Sequence, residues 1–176
     1  MSIRYMSNFM SSVSFQLKTC DVYLIFEPYH TDSIKNITRS KRAGIGASRN
    51  HQLTMHTPLP SQKVTLTVTH NKVELINLIC QYLAQQMSHA SNRLVITGEH
   101  PVPTQITIDK VSEREDLRTT QEEADIIIVQ QMVRIAETGV SSIKVICEDT
   151  DVFVLLILST SITNNLWSAM YAWRVL

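Results

Sequence analysis

Apolar positions along the chain fall into short blocks with two different spacings. Val22-Tyr-Leu-Ile-Phe26 is a run of β-branched, aromatic and aliphatic residues closed by Glu27-Pro28, where proline ends a ladder, and it predicts a buried strand. From Ser33 to about Ala43 the spacing is helical, with Lys35, Arg39 and Arg42 at i, i+4 and i+7, and Gly44 and Gly46 mark the stop. Positions 47–63 show no period and carry Pro58 and Pro60, which predicts a long connection. Asn71, an N-cap residue with Glu74 three positions on, opens a helix that turns Leu75, Ile76, Leu78, Ile79, Tyr82 and Leu83 toward a core.

The second half repeats the alternation of spacings. Leu94-Val-Ile-Thr97 before Gly98 reads as a strand, Glu99-His-Pro-Val-Pro103 as a turn, and Gln105-Ile-Thr-Ile108 as a half-exposed edge strand. A helix is expected from about Gln121 to Glu137, with Thr119 and Thr120 as candidate caps and Gly139 as its stop. Ile126, Ile127, Ile128 and Val129 make it apolar nearly all round, hence buried. Ser142 to Cys147 follows as a strand, then Glu148-Asp-Thr-Asp151 and the apolar run Val152 to Leu158, of either type. The order β-α-loop-α-β-β-α-β-(α or β) predicts an α/β fold, a three-layer α/β/α sandwich with a mostly parallel central sheet.

Composition narrows the class. The 176 residues hold 16 Lys+Arg against 16 Asp+Glu, 44% apolar residues, 4 Gly and 5 Pro, as expected for one soluble domain rather than a collagenous or disordered chain. Such a domain buries roughly 70% of its unfolded surface and needs no disulfide or structural metal. Cys20, Cys80 and Cys147 are odd in number and widely spaced, which predicts reduced thiols in an intracellular protein, nuclear or cytoplasmic and not secreted. The longest apolar run is far short of the roughly 20 residues of a membrane span, so no membrane partner is expected. Residues 1–20 lack the apolar stretch of a signal peptide. They form a variable leading segment, 21–158 the domain, and 159–176 a divergent tail.

Zero net charge conceals segregation. Residues 31–50 hold Lys35, Arg39, Lys41, Arg42 and Arg49 against Asp32 alone, whereas residues 113–151 hold ten acids against Arg114, Arg118, Arg134 and Lys144. In open parallel sheets, ligands bind beyond the carboxyl ends of the strands. Glu27 follows the first strand, Asp149 and Asp151 follow the strand 142–147, and Glu122, Glu123 and Asp125 stand in the first turn of the helix before it. Acids from three segments converging there would repel one another unless a hard cation such as Mg²⁺ or Mn²⁺ neutralised them. The same acids also suit helix capping. The six histidines have no zinc-site spacing, and no Gly-rich phosphate loop is present, so neither zinc nor a nucleotide cofactor is expected.

Gln121-Glu-Glu-Ala-Asp125, followed by Val145-Ile-Cys-Glu-Asp-Thr-Asp-Val-Phe-Val-Leu-Leu156, resembles the internal region of flap-endonuclease-like (XPG-type) nucleases of the PIN-like superfamily. There, an acidic helix start precedes a strand ending in Asp-x-Asp. Ile25-Phe-Glu-Pro-Tyr-His30, with the basic segment after it, is similar to the place where the family ends a strand in Phe-Asp. The stretch 22–158 looks still more like degenerate forms of this domain in mobile-element-associated animal open reading frames, with Asp32-Ser-Ile-Lys35, Thr57-Pro-Leu-Pro60 and Asn71-Lys72 among the matching segments.

The resemblance implies metal-binding and catalytic roles for Glu123, Asp125, Asp149 and Asp151, with Glu27 where the family has aspartate, a substitution that moves a ligand by roughly 1 Å. Residues 1–20 contain no acid, and none follows Leu158, so the family's flanking aspartates have no counterpart and the domain is expected to be truncated at both ends. The expected function is a divergent Mg²⁺- or Mn²⁺-dependent nuclease domain, inactive or weakly active. Its acids would activate water for phosphodiester hydrolysis, and Lys35, Arg39 and Arg42 would bind DNA or RNA. The alternatives are a catalytically dead nucleic-acid-binding or protein-interaction module, and a relic without function.

Overall fold

A computed structural model describes residues 3–28, 54, 68–87, 91–147 and 149–160, and it is mixed α/β. The chain divides into two compact units, residues 1–113 and 114–176.

The first unit opens on helix α1 (Ile3–Gln16), in the segment expected to be variable. Met10, Val13 and Leu17 lie at i, i+3 and i+7 and are buried on one face. Strand β1 (Val22–Ile25) is the one read from the apolar run. Helix α2 (Thr69–Gln86) buries Leu75, Ile79 and Leu83 at four-residue spacing. It starts two residues before the expected Asn71 cap. Val68 occupies the cap position with no side-chain bond, and Asn71 is buried inside the first turn.

Strand β2 (Leu94–Thr97) pairs with β1 in parallel, Val22 opposite Leu94 and Ile25 opposite Thr97. The ladder is continued by Val22 N–H to Arg93 O and Phe26 N–H to Thr97 O, both 2.9 Å. Strand β3 (Thr104–Ile106) returns antiparallel to β2, and β4 (Val111–Glu113) antiparallel to β3. The sheet order is β1-β2-β3-β4. One pairing of three is therefore parallel, which corrects the expectation of a mostly parallel sheet among the described residues.

The expected edge strand at 105–108 lies inside the sheet. Its last two residues belong to a turn in which the Thr107 hydroxyl accepts from Lys110 N–H and donates to Lys110 O. Met10, Leu17, Leu75, Leu83, Leu94 and Ile106 meet in the core of this unit.

The second unit begins with a 3₁₀ turn (Glu115–Leu117) and continues with helix α3 (Ala124–Glu137). Thr119 and Thr120 do not cap it. Residues 116–118 are instead tied to the side of the helix, because Arg134 Nη1 donates to Asp116 O at 3.0 Å and Arg118 O at 2.8 Å. Thr119 Oγ1 accepts from Gln121 N–H at 3.1 Å. The cap position falls to Glu123, with no side-chain bond. Ile127, Met132 and Ile135 are buried while Ile126, Ile128 and Val129 are half-buried, so α3 is sided rather than enclosed.

The strand expected at 142–147 is absent. Ile143, Val145 and Cys147 still alternate inward against exposed Lys144 and Ile146, but no ladder partner stands beside them among the described residues. The apolar run 152–158 is helical, in α4 (Thr150–Thr160), and packs Val152 and Leu156 on Met132. The expected basic helix at 33–43, nearly all of the connection 47–63, and positions 161–176 lie outside the described residues. No described helix is long and apolar enough to cross a membrane.

Candidate functional site

Strands β1 and β2 run in the same direction, so their carboxyl ends lie side by side. Beyond them come Glu27 on one side and Gly98-Glu99-His100 on the other. A groove of about 340 Å³ opens there, lined by these residues and by Cys80 and Ile96 among others. Glu27 is half-buried; Glu99 and His100 are exposed. Burial pushes the Cys80 thiol up to about 11, which leaves it almost wholly protonated and slow to react at neutral pH. Sequence alone places Glu99 and His100 only in a turn. Their signal was the placement rule already applied to Glu27, since they follow a strand that proves parallel to β1.

The other predicted acids belong to the second unit. Glu123 is the cap residue of α3, and Asp125, in its first turn, accepts its neighbour's amide, Ile126 N–H, on Oδ1 at 2.9 Å. Asp149 precedes α4 and accepts Asp151 N–H on Oδ1 at 2.9 Å, while Asp151 is exposed in the first turn. These carboxylates stand at the positive ends of two helices, where negative charge is stabilised. The Cys147 thiol is raised by partial burial and donates to Asp149 O at 3.8 Å.

The strand that was to carry Asp149 and Asp151 to a common sheet edge does not form, so the sheet cannot supply the convergence. Among the described residues, no three His, Cys, Asp or Glu side chains stand together as a metal site. Lys35, Arg39 and Arg42 lie outside the described residues.

Compared with protein-family models, curated proteins and solved structures, the chain finds no match in any of the three.

Proposed function

We propose that the chain is a divergent relative of the PIN-like, flap-endonuclease-like nucleases, a three-layer α/β/α domain that binds DNA or RNA through Lys35, Arg39 and Arg42. Glu123, Asp125, Asp149 and Asp151 are the vestige of its Mg²⁺ or Mn²⁺ site, and phosphodiester hydrolysis is weak or lost.

The observation that carries this reading is the placement of two acid pairs at the starts of α3 and α4, helices that share the Met132, Val152 and Leu156 cluster. Helix α3, at 14 residues, is about 21 Å long, while the stretch 138–149 reaches up to roughly 40 Å when extended. Chain length thus allows α4 to begin near the beginning of α3. The resemblance adds that Glu123-Ala-Asp125 and Asp149-Thr-Asp151 stand where the family has Glu-Ala-Glu and Asp-x-Asp. A bound divalent ion would supply an activated water and neutralise phosphate charge. The chain's own groups otherwise act by attraction, the basic side chains displacing counterions from the phosphate backbone.

The favoured outcome, binding without efficient cleavage, rests on how the acids are used. Asp125 and Asp149 serve backbone amides at their own helix starts.

The test pairs Mn²⁺ calorimetry on wild type and Asp149→Asn/Asp151→Asn with binding and cleavage of labelled single-stranded and branched DNA and RNA at two salt concentrations. Salt-dependent binding that is lost in Lys35→Glu/Arg39→Glu/Arg42→Glu, without cleavage, supports the reading. Mn²⁺ binding and cleavage that vanish together in the aspartate variant would restore an active nuclease. A folded protein that binds no nucleic acid overturns the proposal.

A further inference from the structure

We propose that the groove between α2 and the β2–β3 hairpin binds a small organic ammonium compound with an apolar body. Helix α2 carries two stripes. Leu75, Ile79 and Leu83 fill the core, while Ile76, Cys80 and Ala84, on the adjoining flank, wall the groove. Its floor is Ile96 and Ile106, successive strands of one sheet face.

Glu27, Glu99 and His100 are the ionisable groups besides Cys80 among the described lining residues, which include no Lys or Arg. Two carboxylates over an apolar floor repel phosphate and attract an ammonium group, whose apolar body covers the isoleucines. The volume of about 340 Å³ is at the small-molecule end of ligand sites. The position, beyond the carboxyl ends of two parallel strands, is where layered α/β sheets place their ligands. The uncharged Cys80 thiol adds to the apolar wall.

This inference is carried by the first unit alone and does not depend on nucleic-acid binding. Glu27 has an interaction of its own within the chain, so the test turns on Glu99.

Calorimetry with naphthylmethylamine and its neutral counterpart naphthylmethanol, in the presence of EDTA, separates charge recognition from simple greasiness. Wild type is expected to prefer the amine by roughly tenfold, the size of one charge-assisted hydrogen bond. Glu99→Gln, an exposed and therefore structurally tolerated change, lowers affinity for the amine and leaves the alcohol unchanged. Location is read independently from Cys80, whose alkylation by iodoacetamide, followed on its peptide by mass spectrometry, slows at saturating amine while that of exposed Cys20 does not. Equal affinity for the two probes, no binding at millimolar concentration, an amine preference unaltered by Glu99→Gln, or unprotected Cys80 would each overturn the proposal.

Discussion

Asp21 clamps Arg93 at the start of the parallel ladder. Arg93 Nε and Nη2 reach Oδ2 at 2.8 and 2.6 Å, and the Arg93 backbone N–H donates to Oδ1 at 2.8 Å. Asp21 immediately precedes β1 and Arg93 immediately precedes β2, so one carboxylate sets the register of the two strands whose far ends frame the groove. The Asp21 side chain is 27% exposed and that of Arg93 48%, so screening reduces the ionic part. The backbone bond adds to it. Asp21→Ala is expected to destabilise the fold by about 1–2 kcal/mol, and Asp21→Asn, which keeps an acceptor for the amide, by less. Urea denaturation of the three proteins checks the order.

Acid sensitivity has an identifiable contributor in the second unit. The Arg114 guanidinium grips Asp116 through two bonds, Nε to Oδ1 at 2.8 Å and Nη2 to Oδ2 at 2.6 Å, and holds its carboxyl below the usual range. A carboxyl lowered by folding stabilises the native state above its unfolded value, about 3.9, and that contribution fades as pH falls through the lowered value. The stability difference between wild type and Asp116→Asn is therefore expected to be full at pH 7 and to shrink toward zero in strong acid. Because Asp116 is largely exposed, the full difference is at most about 1 kcal/mol. Urea midpoints across pH 7 to 2.5 measure it. A difference that persists at the lowest pH contradicts the assignment.

The end of α3 depends on one backbone conformation. Gly139 has φ of 81° and donates to Ala136 O at 3.0 Å, ending the helix in the left-handed region. An added Cβ would meet nothing within 4 Å, so the cost of a side chain there is conformational and not steric crowding. Gly139→Ala should lose about 1 kcal/mol and Gly139→Asn less, since asparagine tolerates this region better. Thermal unfolding of the pair gives the comparison.

The legible parts of the fold were those written in local spacing. Val22–Ile25 and Leu94–Thr97 are continuous β-rich runs, and Leu75, Ile79 and Leu83 hold a helical stripe, so each appears where expected. Local spacing is insufficient where tertiary partners decide. Ile143, Val145 and Cys147 have the period of a strand, yet a strand also needs a neighbour to bond with, and periodicity is silent on that. Val152–Leu158 is apolar on every side and so carries no period to distinguish helix from strand. Strand β4 has one apolar residue in three and is fixed by pairing with β3. Of the candidate site, Glu27 was placed at a strand end from sequence, and it does stand there. Glu99 joined it only once β2 was known to run parallel to β1.

Helix α4 offers a test of which side of an all-apolar helix carries stability. Val152 and Leu156 are nearly fully buried against Met132, whereas Phe153 is 46% exposed and Val154 52% exposed. Leu156→Ala removes a packed side chain and leaves a cavity, so it should cost about 2–4 kcal/mol. Phe153→Gln removes a side chain already about half solvated, introduces a better helix former, and should cost about 1 kcal/mol or less. If the run formed a sheet strand buried on both faces, as its composition allows, both substitutions would be strongly destabilising. Denaturant midpoints for the two variants therefore discriminate helix from strand, and equal large losses would contradict the helical assignment of 150–160.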